Sequence, residues 1–325
     1  MKKLMALAIA MLLVGAMAAG CATDSAPEET GGTDATTSEA KDPIVVGSKI
    51  DIEGPILGEI IISMLEENGF DVTDSTRTGA TDVVRNALLA GEIDIYPEYT
   101  ANALTVFYPD ADITSDILAD AELTYETAAE LDLEGENIVW LQPAPANNTW
   151  AVAIPADLSE AEGIKTLEDL ATYINGGGEI KIVGSQEFFD RDDAWPGFEA
   201  AYGFTVPAEQ RIALATGDTA VTEKAAAEGT DGANAAMAYG TDGTIAALDL
   251  VVLDDPLGVQ PIYQPAPTVR GEIVDTYPEI AEVLDPVFMM LDKETLQAMN
   301  ARSAVDGEDA GVIAQEWLAE QGFIK

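Results

Sequence analysis

Between Pro43 and Leu104 the apolar residues switch repeatedly between two periods, and this switching limits the fold more than any other feature of the chain. Ile44-Val45-Val46 reads as a short strand, and Ile56, Leu57, Ile60, Ile61, Met64 and Leu65 then recur at helical spacing before Gly69 stops the run. A strand from Phe70 to Thr73, a helix from about Thr81 to Ala90 and a strand through Ile93 and Ile95 repeat the unit. Strand, helix, strand, helix, strand implies a parallel sheet with right-handed crossovers. Ligands of such sheets bind outside the carboxyl ends of the strands, which places Lys49 and Tyr99 on one functional edge. Pro97 has no N–H to give, so the third strand is expected to stop there, with Tyr96 and Tyr99 at its exit.

Residues 110–137 are acidic and helical in pattern, and Ile138 to Leu141 returns as a strand. The segment QPAPANNTWAVAI is an extended, proline-punctuated passage that enters another strand at Trp150. A second α/β series follows. Thr166 and Asp169 form a capping box, Ile180 to Val183 is a strand whose exit carries Arg191, and Ala235 to Ala238 is a strand ending at Tyr239. A second proline-rich passage, Gln260 to Pro267, holds Tyr263, and helices close the chain. Two passages between α/β units imply a two-lobed α/β protein, each lobe a mixed sheet flanked by helices. The expected division is 42–146 for lobe 1, 147–256 for lobe 2 and 257–325 for a return to lobe 1.

The first 41 residues stand apart. Lys2 and Lys3, the apolar run Leu4 to Val14 and Ala18-Ala19-Gly20 have the make-up of a signal peptide over 1–20, cleaved before Cys21. The run is similar to a bacterial lipoprotein signal, with Ala18 where leucine is commoner, and implies lipidation of Cys21 and an extracytoplasmic, membrane-anchored protein, in a periplasm or on the outer face of the cell. Residues 21–41 lack large apolar side chains after Cys21 and read as a flexible linker.

Charge and composition remove several functions. With 59 acidic against 15 basic residues, a formal charge of -44, the chain suits neither nucleic acid phosphates nor anionic lipid headgroups. Acids spread through every segment make a self-repelling surface that salt would screen. The chain has no histidine and one cysteine, so His-containing catalytic triads and His-ligated metal sites are excluded. The Gly176–Gly178 run lacks the Lys-Ser/Thr of a phosphate loop. No carboxylate pair stands out by spacing, and the reading is non-enzymatic, with no cofactor and no metal.

Collected at strand exits and crossings are Tyr99, Trp150, Tyr239 and Tyr263, with Lys49 and Arg191. A quaternary ammonium group has no N–H to donate, and aromatic faces suit it, each contributing roughly 0.5 to 2 kcal/mol. Lys49 and Arg191 would take a carboxylate at the other end of a zwitterion, and Asn102 can add an amide donor. Glycine betaine is such a zwitterion. Taken singly, each residue has an ordinary reading: surface charge for Lys49 and Arg191, core packing for Trp150 and Tyr239, a proline-stacked loop for Tyr263, a turn for Asn102.

The segments GSKIDIEGPILGE, GATDVVRNALLAGEIDIYPEYTANAL, PAPANNTWAVAI, GANAAMAYGTDG and QPIYQPAPTVR resemble the osmoprotectant-binding lipoproteins of ABC importers, the glycine betaine, carnitine and choline group, and within it the OsmF-like branch. The resemblance covers nearly all of 43–325. It implies a type II periplasmic binding protein fold that closes on its ligand like a hinge and delivers it to a membrane permease, with a monomer expected. By motif it places the family's ligand lysine on Lys49, cage aromatics on Tyr99, Trp150, Tyr239 and Tyr263, and an arginine on Arg191. Trp150 stands where the family has tyrosine, and Asn102 replaces a hydroxyl donor. Choline, carnitine or another small solute in the same cleft, or a sensory lipoprotein, are the alternatives.

Overall fold

The two series of alternating elements form two five-stranded sheets of the same plan. The computed structural model describes residues 43–192, 194–215 and 218–325. The expected signal peptide 1–20, Cys21 and the linker 21–41 lie outside the described residues.

The first sheet takes β1 (Ile44–Lys49), β2 (Val72–Gly79), β3 (Ile95–Tyr99) and β4 (Ile138–Trp140). The chain then builds the second sheet from β5 (Trp150–Pro155), β6 (Ile182–Ser185), β7 (Arg211–Leu214), β8 (Ala235–Tyr239) and β9 (Leu250–Val252). It returns to the first sheet as β10 (Pro265–Arg270). The strand orders are β2-β1-β3-β10-β4 and β7-β6-β8-β5-β9. In each sheet three strands run parallel and a fourth lies antiparallel between the third and an edge strand. The parallel ends of β1 and β3 carry Lys49 and Tyr99, each the last residue of its strand.

Helix α1 (Glu53–Glu67) follows β1 and is buried along most of its length, with Ile56, Leu57, Ile60, Ile61 and Leu65 wholly shielded from solvent. Each such side chain contributes about 1.5–3 kcal/mol of burial. The helices Ile280–Phe288, Lys293–Ala304 and Ala310–Gln321 supply Leu284, Phe288, Leu296, Met299, Ile313 and Leu318 to the same core. Helix α2 (Thr81–Ala90) matches the predicted span and ends on Gly91 at φ 70°, a left-handed cap that glycine adopts without strain. The second sheet packs against Phe188, Trp195 and Phe198, and Trp150 lies partly buried on that cluster. The capping box of Thr166 and Asp169 is present, with the hydroxyl accepting from the Asp169 N–H at 3.1 Å and the carboxylate accepting from the Thr166 N–H at 3.1 Å.

Two expectations need correction. The second strand lies at Val72–Gly79, not at Phe70 to Thr73, because Gly69 and Phe70 still close the end of α1 through bonds to Glu66 and Leu65. Nor does Pro97 end β3, which begins at Ile95 and runs through to Tyr99. The Thr100 N–H donates to Gln264 O and the Arg270 N–H to Asp94 O, so the even-numbered residues of β3 form the hydrogen-bonded pairs with β10. Pro97 faces Pro267 in a non-hydrogen-bonded pair, where no N–H is required on that side. Pairing of β3 with β1 on the other side is at Ile95 alone, before the proline. Tyr96 is therefore a strand-interior residue, fully buried, and only Tyr99 stands at the exit.

Candidate functional site

A cavity of about 520 Å³ lies between the carboxyl ends of the parallel strands of the two sheets. All seven predicted ligand residues, Lys49, Tyr99, Asn102, Trp150, Arg191, Tyr239 and Tyr263, line it. The volume suits a small solute.

Local structure explains why these side chains converge. Trp150 opens β5 and Tyr239 closes β8, and the two are direct cross-strand partners, so their rings lie on one sheet face. The rings are nearly parallel, 19° apart, with centroids separated by 6.4 Å. Phe188 meets Trp150 edge-on at 5.9 Å and fixes its tilt from the core side. The backbone N–H of Tyr263 donates to Asn147 Oδ1 at 2.8 Å, and its carbonyl accepts from Asn148 N at 2.9 Å, which ties the two proline-rich passages together beside the cavity. Asn102 sits in the single helical turn Thr100–Asn102, which continues into a π-helical turn, Ala103–Phe107. Such turns re-aim a helix at functional sites.

The cationic residues are engaged in ways the sequence did not indicate. Lys49 Nζ donates to Glu98 Oε1 at 2.5 Å and lies 4.6 Å from the centroid of the Tyr99 ring. Asn102 Nδ2 donates to the same oxygen at 2.8 Å, as does the Tyr99 N–H at 2.7 Å, while the Tyr96 hydroxyl donates to Glu98 Oε2 at 2.9 Å. The guanidinium of Arg191 lies 4.6 Å from the Trp150 ring centroid and pairs with Glu187 at 3.2 Å, four residues before it on the same segment.

A second set of groups escaped the sequence reading. Glu53, the first residue of α1, is 3% exposed and lines the cavity. Its Oε1 accepts from the Tyr99 hydroxyl at 2.7 Å and from Asn148 Nδ2 at 3.1 Å, and its Oε2 accepts from Asn300 Nδ2 at 2.8 Å. Burial raises its pKa, and the side chains of Thr241, Tyr99 and Asn300 oppose the rise. Burial likewise raises Asp51 and Asp242, both of which line the cavity. Glu223, buried behind Asp242, is pushed up to about 10 by burial and by Asp242 itself, so at neutral pH it carries a proton. The amide oxygens of Asn148 and Asn300 are buried without a hydrogen-bond partner, which adds to the acceptor character of this wall. One signal for Glu53 was its place at the start of a helix on the functional edge. With 59 acids in the chain, however, no single carboxylate could be ranked above the others from sequence.

The arrangement can bind but offers little for bond-breaking chemistry. The aromatic faces suit a cation with no N–H to donate, and the acidic side chains that also line the cavity add attraction for positive charge. Among the described residues, no group of three or more His, Cys, Asp or Glu side chains could hold a metal ion.

Comparison with known proteins agrees with this geometry. The chain is 49% identical over 287 residues to the glycine betaine-binding protein YehZ of Escherichia coli strain K12, covering 88% of this chain and 93% of that protein. It is 32% identical over 287 residues to a glycine-betaine-binding protein of Pseudomonas aeruginosa, covering 86% and 88%. The structure of apo YehZ from E. coli matches with a TM-score of 0.80, covering 87% of this chain and all of that one, and shares the two mixed sheets flanked by helices of a type II periplasmic binding protein. Residues 42–320 match the OpuAC family. By family and by fold, the chain belongs to the OpuAC family, the substrate-binding domains of ABC-type glycine betaine transport systems.

Proposed function

We propose that the cavity holds the trimethylammonium group of glycine betaine among Tyr99, Trp150, Tyr239 and Tyr263, with Lys49, Arg191 and Asn102 serving its carboxylate end. The chain is the solute-binding component of an ABC importer and not an enzyme, so its task is capture and delivery to a membrane permease. The observation that carries the reading is the meeting of four aromatic residues from separate segments around one small cavity. Three or four faces at roughly 0.5 to 2 kcal/mol each supply useful affinity after the cost of ordering the ligand.

In the same reading the chain divides at 42–146, 147–256 and 257–325, and the two lobes close on ligand as a hinge. A monomer tethered through lipid on Cys21 delivers the solute outside the cell membrane. No helix among the described residues is long and apolar enough to cross a membrane. The direct test is calorimetric titration in high salt with glycine betaine, carnitine and choline in turn. Saturable binding of glycine betaine is expected; the absence of heat with all three would refute the reading.

A further inference from the structure

Glu98 is completely buried and is not among the residues that line the cavity, yet it draws four donors onto its two oxygens. Two of those donors, Lys49 Nζ and Asn102 Nδ2, belong to side chains that do line the cavity. At 2.5 Å the Lys49–Glu98 contact is a close ion pair, with side-chain exposures of 8% and 0%. A ligand carboxylate arriving at Lys49 meets an ammonium whose charge is already opposed by a carboxylate in a region from which water is excluded, where opposing charges weigh more than in solvent. Asn102 has one of its two N–H groups turned away in the same manner. The other charges on the cavity wall are Arg191 against Asp51, Glu53, Asp218 and Asp242, so the lysine is one of only two cations there among the described residues.

We propose that Glu98 is a specificity-determining residue, acting through Lys49 and Asn102: it lowers the cavity's preference for a quaternary ammonium compound that carries a carboxylate over one that does not. The inference rests on the aromatic-cage reading above. Glu98 is a positioning residue rather than a ligand contact, so its effect falls on the ratio of two affinities. A general loss of packing would weaken both ligands alike.

The test is calorimetry of the folded wild type and of Glu98→Gln with glycine betaine and with choline, which share the trimethylammonium group and differ in the carboxylate. Glutamine keeps the shape and removes the opposing charge. Glycine betaine should bind about tenfold tighter to the variant, the worth of one charge-assisted hydrogen bond regained, while choline changes by less than about twofold. A ratio that stays unchanged while the wild type binds glycine betaine would overturn the inference and leave the cage reading intact. Failure of the wild type to bind either compound would overturn both. If Glu98→Gln does not unfold cooperatively, Glu98→Asp replaces it, since the shorter side chain draws the charge back from Lys49. The same ratio should then shift in the same direction, and no shift would again overturn the inference.

Discussion

Asn300, on the helix Lys293–Ala304 that packs with the first sheet, donates from one amide nitrogen both to Glu53 Oε2 and to the carbonyl of Thr241 beyond β8, at 2.8 Å each. One side chain thus connects the carboxylate that holds Tyr99 to the turn that follows Tyr239. Nearby, Gln297 Nε2 donates to Gly240 O at 2.9 Å. Gly243 approaches the helix so closely that a Cβ there would lie 2.0 Å from the Ala301 nitrogen, so only glycine fits.

Asn300→Ala should therefore weaken glycine betaine binding by about tenfold while leaving the fold in place, since it removes the buried hydrogen bond that holds Glu53 and the one that joins this helix to Thr241 beyond the second sheet. Calorimetric affinity and thermal melting of the same samples check this. Unchanged affinity would show that the contact does not support the bound state.

Trp150→Ala should weaken glycine betaine binding at least about tenfold, the upper range of one aromatic face in a water-excluded site. Arg191 also loses its stacking partner, so the variant removes both the ring and a fixed position for that cation. Titration of the variant against wild type checks it, and Trp150→Tyr, which keeps an aromatic face, should recover most of the loss.

Glu223 gives a pH prediction. Its folded pKa is raised to about 10, so the folded state holds a proton that the unfolded state releases above the ordinary carboxylate range. The stability this group contributes is fully present below the unfolded pKa and is lost as pH rises through the folded one. Melting temperature should fall from pH 7 toward pH 10 in the wild type. In Glu223→Gln the fall should be shallower, because the amide needs no proton beside Asp242; parallel curves for the two proteins would contradict the assignment.

Salt should stabilise the protein. A formal charge of -44 repels itself across the surface, and raising ionic strength from about 0.01 M to about 1 M shortens the screening length from about 30 Å to about 3 Å. Thermal melting in sodium chloride should rise with concentration over that range, and a fall would show that specific ion pairs outweigh the general repulsion.

Much of the fold and the wall of the cavity were legible in the sequence because they rest on local signals. The helix Thr81–Ala90, the capping box at Thr166 and the strand ends at Lys49 and Tyr239 follow from periodicity and from turn chemistry, whereas Arg191, expected at a strand exit, caps the short helix Gln186–Asp190 that follows the strand. Pro97 was misread because local chemistry gives the missing N–H but not the register, and the register with Pro267 decides whether that N–H is needed. Glu98, Glu53 and Asn300 were not legible for a related reason. Glu53 and Asn300 are 247 residues apart, and Lys49 and Glu98 are 49 apart, so neither pair exists as a pattern until the sheets bring them together.

Where the cation sits is decided most directly by a crystal structure with glycine betaine bound. The trimethylammonium group should lie against the rings of Tyr99, Trp150, Tyr239 and Tyr263, with the carboxylate turned toward Lys49 and Arg191. A ligand seated outside this cavity, or one whose carboxylate lies among the aromatic rings, would contradict it.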